Sequence, residues 1–135
     1  AIARERFPNI EILDVAESDE DSNRAAQIAQ NALHNDPDIC GIYNVSAGNY
    51  KIAQTLIKLG RAEEVVFISH ELTPKRCAML KSGLLDAVID QNPRMEARQA
   101  IDVLAHHFKR IEARQVPDPF TPFEIFLREN CPNLT

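Results

Sequence analysis

Three short stretches gather groups that could hold a small polar ligand. Asn44-Val45-Ser46-Ala47-Gly48-Asn49, Ser69-His70-Glu71-Leu72-Thr73 and Asp90-Gln91-Asn92-Pro93 each follow an apolar run of strand type. Ligands of open α/β sheets bind beyond the carboxyl ends of the strands, so three such tips converge on one place. Amides, hydroxyls and a carboxylate there suit hydrogen bonds to a neutral polyol better than a grip on a phosphate or a metal. Asn44, Ser46, Asn49, His70, Glu71 and Gln91 are the candidate ligand-binding residues. Taken one at a time, each is also explained as a helix cap or turn former. The coincidence of three tips is what raises them together.

Sharper chemistries do not fit. Gly48 lies in a strand-to-helix turn, but no Gly-x-Gly-x-x-Gly or Gly-Lys-Ser/Thr surrounds it to cradle a phosphate. His70 and Glu71 are adjacent, and neighbours on a strand point to opposite faces, so they make a poor base-and-orienter pair. Ser46 lacks the leading Gly of a nucleophile elbow. His106 and His107 fall about 100° apart around a helix and cannot easily share a metal. The Asp19-Glu20-Asp21 run reads as a helix N-terminus, where negative charge is favoured. No catalytic residue, metal or cofactor is expected. Asp14 could be a phospho-acceptor in a flavodoxin-like signalling or enzyme domain, but the acidic pair and later Lys of such sites are missing.

The elements that must carry these groups alternate along the chain. Ile10–Val15, Ile39–Tyr43, Val65–Ile68 and Asp86–Ile89 read as four short β-rich runs. Between them, Asp21–His34 and Asn49–Leu59 show helical periodicity, and a short helix starts at Thr73-Pro74 and ends at Gly83. A longer helix is expected from about Arg94 to Arg114, with Ile101, Leu104 and Phe108 in its apolar stripe; its Arg94, Arg98, Lys109, Arg110 and Arg114 read as a solvated surface. Phe123–Arg128 reads as a last strand at a sheet edge. Strands joined by helices imply right-handed crossovers, hence an α/β fold: a three-layer sandwich on a mainly parallel sheet.

Composition sets the outer bounds. The 135 residues are 44% hydrophobic and 26% charged, which is globular rather than disordered or low-complexity. Lys and Arg number 15 against 20 Asp and Glu, a net charge of −5, and Trp is absent. That balance argues against a free-standing nucleic-acid binder. No apolar run approaches the roughly 18 residues of a membrane span. The first residues, Ala-Ile-Ala-Arg-Glu-Arg-Phe-Pro, lack a signal-peptide core, so the expectation is a cytoplasmic protein. Cys40, Cys77 and Cys131 are odd in number and widely spaced, and are expected to be incidental thiols rather than a disulfide framework or zinc site.

An ordered series of segments carries a resemblance. Phe7-Pro8-Asn9-Ile10, Asp38–Asn44, Gly60-Arg61-Ala62 and Val65–Thr73 resemble the effector-binding region of LacI/GalR transcriptional regulators. Asp86–Pro93 is similar to the segment in which that family and the related periplasmic sugar-binding proteins place a cleft Gln. Pro122–Asn130 resembles the family's final strand. The resemblance implies one lobe of a type 1 periplasmic-binding-protein-like fold. Residues 1–93 would form the C-terminal lobe, 94–116 a crossover helix that packs on the other lobe, 117–130 a returning edge strand and 131–135 a frayed tail. It further implies a sugar-like effector bound between two lobes, a homodimer, and operator DNA contacted only through a head outside these residues. Gln91 matches the cleft Gln, Glu71 stands where relatives have Asp, and His70 replaces an aromatic residue. Ser46 lies near the Asp of an Asn-Asp pair that this chain lacks. A periplasmic sugar-binding protein of a transport system is the alternative reading.

Overall fold

The computed structural model describes residues 2–110 and 120–133. A five-residue helix, α1 (Ile2–Arg6), leads to an extended segment and then to α2 (Ser22–Asn35), β1 (Gly41–Asn44), α3 (Asn49–Lys58), β2 (Val66–His70), α4 (Pro74–Lys81), β3 (Ala87–Asp90), α5 (Pro93–His107) and β4 (Glu124–Phe126). The helix starts follow from local chemistry. The Asp21 carboxylate accepts from the backbone N–H groups of Asn23 and Arg24 at 2.7 and 2.9 Å, which caps α2. Thr73 caps α4 by accepting from the Arg76 N–H at 3.2 Å, with Pro74 in the first turn. Gly60 and Gly83, at φ of 68° and 75°, follow the ends of α3 and α4 in the left-handed region that glycine enters freely.

The strands form one sheet in the order β1-β2-β3-β4, parallel except for antiparallel β4 at the edge. Register puts Ile42, Phe67, Val88 and Phe126 on one face. That face meets Ala25, Ala29 and Leu33 of α2, Ile52, Ala53 and Leu56 of α3, and Met79 and Leu80 of α4 in a single core. The spacing of Ala25, Ala29 and Leu33 is the four-residue repeat of one helix face. Phe67, Leu80 and Val88 are fully buried, and each contributes about 1.5–3 kcal/mol by leaving water.

The α/β architecture with a mostly parallel open sheet is the one expected. Of the two helical layers in a three-layer sandwich, the described residues form the layer over Phe67 and Val88. On the opposite face Tyr43, Val66 and Ile125 are exposed. Helix α5 contains no buried residue, and the stripe of Ile101, Leu104 and Phe108 faces solvent. It ends at His107 rather than Arg114, with Lys109 in the left-handed region; residues 111–119 lie outside the described part.

Three expectations are corrected. Ile10–Val15 forms no strand. The segment is not among the strands of the sheet, whose order begins at β1. The cysteines are not all free thiols: Cys77 on α4 is disulfide-bonded to Cys131, with Cα atoms 6.3 Å apart, while Cys40 is free and exposed. Wide sequence spacing hid a spatial neighbour. Residues 131–133 are accordingly no frayed tail. Lys81 Nζ donates to the Pro132 carbonyl at 3.2 Å and to Asn133 Oδ1 at 2.6 Å. The Arg128 guanidinium lies against Gly83, where a side chain would collide with it.

Candidate functional site

The carboxyl ends of β1, β2 and β3 lie at one end of the sheet because all three strands run parallel. Asn44 closes β1, Ser46 lies in the turn beyond it, and Asn49 opens α3. His70 closes β2 and Glu71 follows at φ 58°; Gln91 follows β3. The fold therefore brings all six candidates to one rim.

Their environments differ. Asn44 faces inward: its Nδ2 donates to Asn49 Oδ1 at 2.7 Å and to the carbonyls of Ser46 and Ala47 at 3.0 and 3.2 Å. Asn49 is buried. These two amides hold the shape of the β1 turn. Gly48, at φ 98°, completes that turn; a Cβ there would meet Ala25 Cβ at 2.8 Å, so the turn packs directly under α2. The turns of β2 and β3 are laced together. The Glu71 N–H donates to the Ile89 carbonyl at 2.9 Å, and the Leu72 N–H donates to Asp90 Oδ1 at 2.9 Å. Arg76 donates to the Glu71 carbonyl at 3.2 Å and to its carboxylate at 3.4 Å. Gln91 is exposed and makes no side-chain hydrogen bond among the described residues.

Four further residues shape the rim and were not among the candidates. Tyr43 hydroxyl and His70 Nε2 hydrogen-bond across β1 and β2 on the sheet face away from the helices, with ring centroids 5.2 Å apart. Glu20 reaches the β1 turn: Ser46 Oγ donates to its Oε1 at 2.9 Å and the Ala47 N–H to its Oε2 at 3.1 Å. Ser18 is buried, with its Oγ 3.3 Å from Ser46 Oγ. Asp90 joins two tips, as above. Of the Asp19-Glu20-Asp21 run, only Asp21 serves the cap; the N–H groups of Arg24 and then Asn23 hold its carboxyl below the ordinary value. Asp19 pairs with Arg24. The sequence signal for Glu20 was the run itself, which local reasoning assigned entirely to the helix end.

The rim therefore offers hydroxyl, amide and carboxylate groups on a rigid frame. Among the described residues no three His, Cys, Asp or Glu side chains cluster as a metal site would require, and no helix is long and apolar enough to cross a membrane. The profile of the periplasmic binding protein domain matches residues 1–111. The chain belongs to that family. Solved structures repeat its fold. GanP, a glucose-galactose binding protein from Geobacillus stearothermophilus, superposes with a TM-score of 0.81 at 21% identity, over 97% of this chain and 46% of GanP. An ABC transporter periplasmic solute binding protein from Actinobacillus succinogenes with bound D-allose gives 0.77 at 19% identity, over 96% of this chain and 45% of that one. An ABC transporter solute binding protein from Agrobacterium vitis bound with α-D-tagatopyranose gives 0.78 at 21% identity, over 96% and 43%. This periplasmic-binding-protein domain thus spans somewhat under half the length of these structural relatives. No curated protein sequence matches it.

Proposed function

We propose that the chain is one lobe of an extracytoplasmic sugar receptor serving uptake, with the rim of β1, β2 and β3 as one wall of the ligand cleft. The observation that carries this reading is the convergence of hydrogen-bonding groups at three parallel strand ends in a periplasmic-binding-protein domain. Ser46, Glu71 and Gln91 supply acceptors and donors to sugar hydroxyls, Asn44 and Asn49 hold the first turn in shape, and His70 lies beside them. The role is binding without catalysis. Solved neighbours with bound D-allose and tagatopyranose support a carbohydrate ligand. The Cys77–Cys131 cross-link supports an oxidising compartment, where such bonds persist, over the reducing cytoplasm.

The second reading is the effector lobe of a LacI/GalR-type regulator: cytoplasmic, homodimeric and bound to operator DNA through a separate head. What favours it is the Pro122–Asn130 segment, which resembles that family's final strand. In either reading, ligand acts by binding one arrangement of two lobes better than the other.

Calorimetric titration of the full-length polypeptide with a panel of neutral hexoses and pentoses tests the shared core. Saturable heat with at least one sugar, reduced by Gln91→Ala, is the expected result; no heat with any sugar removes both readings. Fractionation of the native host separates them, with the receptor outside the cytoplasmic membrane and the regulator inside it.

A further inference from the structure

We propose that Glu20 is a specificity-determining residue that closes the rim to anionic sugars, so that the ligand is uncharged or carries an ammonium group. This deepens the sugar-binding reading and rests on it. The Ala47 N–H and Ser46 hydroxyl stand at the turn into α3, a ten-residue helix whose N-cap, Gly48, offers no side-chain acceptor. Free N–H groups and the positive end of the macrodipole make such a turn attractive to a phosphate or carboxylate. Here the turn already holds a carboxylate of the chain itself. Both oxygens of Glu20 are engaged, one by Ser46 Oγ at 2.9 Å and one by the Ala47 N–H at 3.1 Å.

The carboxylate is held in place rather than passing through. Asp19 and Glu20 both adopt left-handed φ angles, 50° and 59°, which side-chain-bearing residues rarely take without support. Support comes from both flanks. On one side buried Ser18 meets Ser46, and on the other Asp21 caps α2, whose first turn packs against Gly48. An anionic ligand group would find the Ala47 N–H and the Ser46 hydroxyl taken and a like charge beside them. A hydroxyl or ammonium would find an acceptor.

The test uses the full-length polypeptide and two variants, Glu20→Gln, which keeps the shape, and Glu20→Ala, which opens the donors. Titrants are D-glucose, D-galactose, glucosamine, glucose 6-phosphate and glucuronate, with inorganic phosphate as a separate probe. The expected wild-type result is that the anionic sugars bind about tenfold or more weakly than their neutral parents, from like charges within a few ångströms. Glu20→Gln narrows that ratio at least severalfold, and inorganic phosphate raises the melting temperature of Glu20→Ala but not of wild type. Anionic sugars binding wild type as tightly as neutral ones overturns the proposal. So does an unchanged ratio in Glu20→Gln. If no sugar binds at all, the sugar reading falls; the exclusion of anions by Glu20 then stands on a phosphate response unique to Glu20→Ala and falls without it.

Discussion

Removing the Cys77–Cys131 bond should cost more stability than any single surface change in this lobe. The two cysteines are 54 residues apart, and the closed loop holds β3, α5 and β4. In the loop-closure model a ring of that size restricts the unfolded chain by an entropy worth about 4 kcal/mol at 25 °C. The native side of the balance points the same way. Strand β4 is only three residues long, with Glu124 and Ile125 exposed and Phe126 half-buried, so the bond reinforces a short edge strand. Urea unfolding followed by far-UV circular dichroism compares wild type, reduced wild type and Cys77→Ser/Cys131→Ser. The midpoint should fall in the last two, with a melting temperature lower by roughly 10–20 °C at this chain length. The slope against urea should rise, because an unlinked unfolded chain exposes more surface. Alkylation of the native, unreduced protein should label Cys40 alone. A loss under about 1 kcal/mol would refute the entropic reasoning. Labelling of Cys77 and Cys131 without reductant would refute the bond itself.

Other expectations follow from single side chains. Ser69 is fully buried on β2 and its Oγ has no hydrogen-bond partner among the described residues, so Ser69→Ala should stabilise the lobe by about 1 kcal/mol in the same urea assay. Gly48→Ala combines a left-handed φ with a collision against Ala25 and Ser22; it should cost about 2 kcal/mol or more and weaken sugar binding by displacing the β1 turn. The depressed Asp21 carboxyl stabilises α2 at neutral pH, and that contribution is lost as pH falls from its ordinary value of 3.8 through its lower folded value. Asp21→Asn keeps a capping oxygen and should flatten the stability profile over that acid window, read by thermal melts across pH.

Much of the fold was legible because local and global signals agreed. The Ala25, Ala29, Leu33 repeat, the Thr73-Pro74 start and Gly83 stop, and the doubly apolar Val65–Ile68 run each belong where the sequence puts them. Ile10–Val15 failed because apolar content records the capacity to pair and says nothing about the partner. Cys77 and Cys131 failed for the same reason at longer range, since only the docking of the C-terminal segment on α4 brings them together. At the site, the three tips were readable as strand ends followed by polar residues. The division of labour among them was not. Asn44 and Asn49 look identical to ligand-binding amides in sequence, yet they bond to each other and to the turn. Glu20 and Tyr43 act across elements, on Ser46 and His70, and no local pattern encodes those partners.

The position of β1 carries a consequence for anyone handling the protein. Its outer side hydrogen-bonds to no strand among the described residues, and Tyr43 on the same strand is exposed. An open row of amide and carbonyl groups is a template that recruits extended chain from any molecule that reaches it. These 135 residues expressed alone should therefore self-associate with rising concentration, even while their helices and core remain intact. Solubility, more than folding, would set the limit on purifying the lobe in isolation.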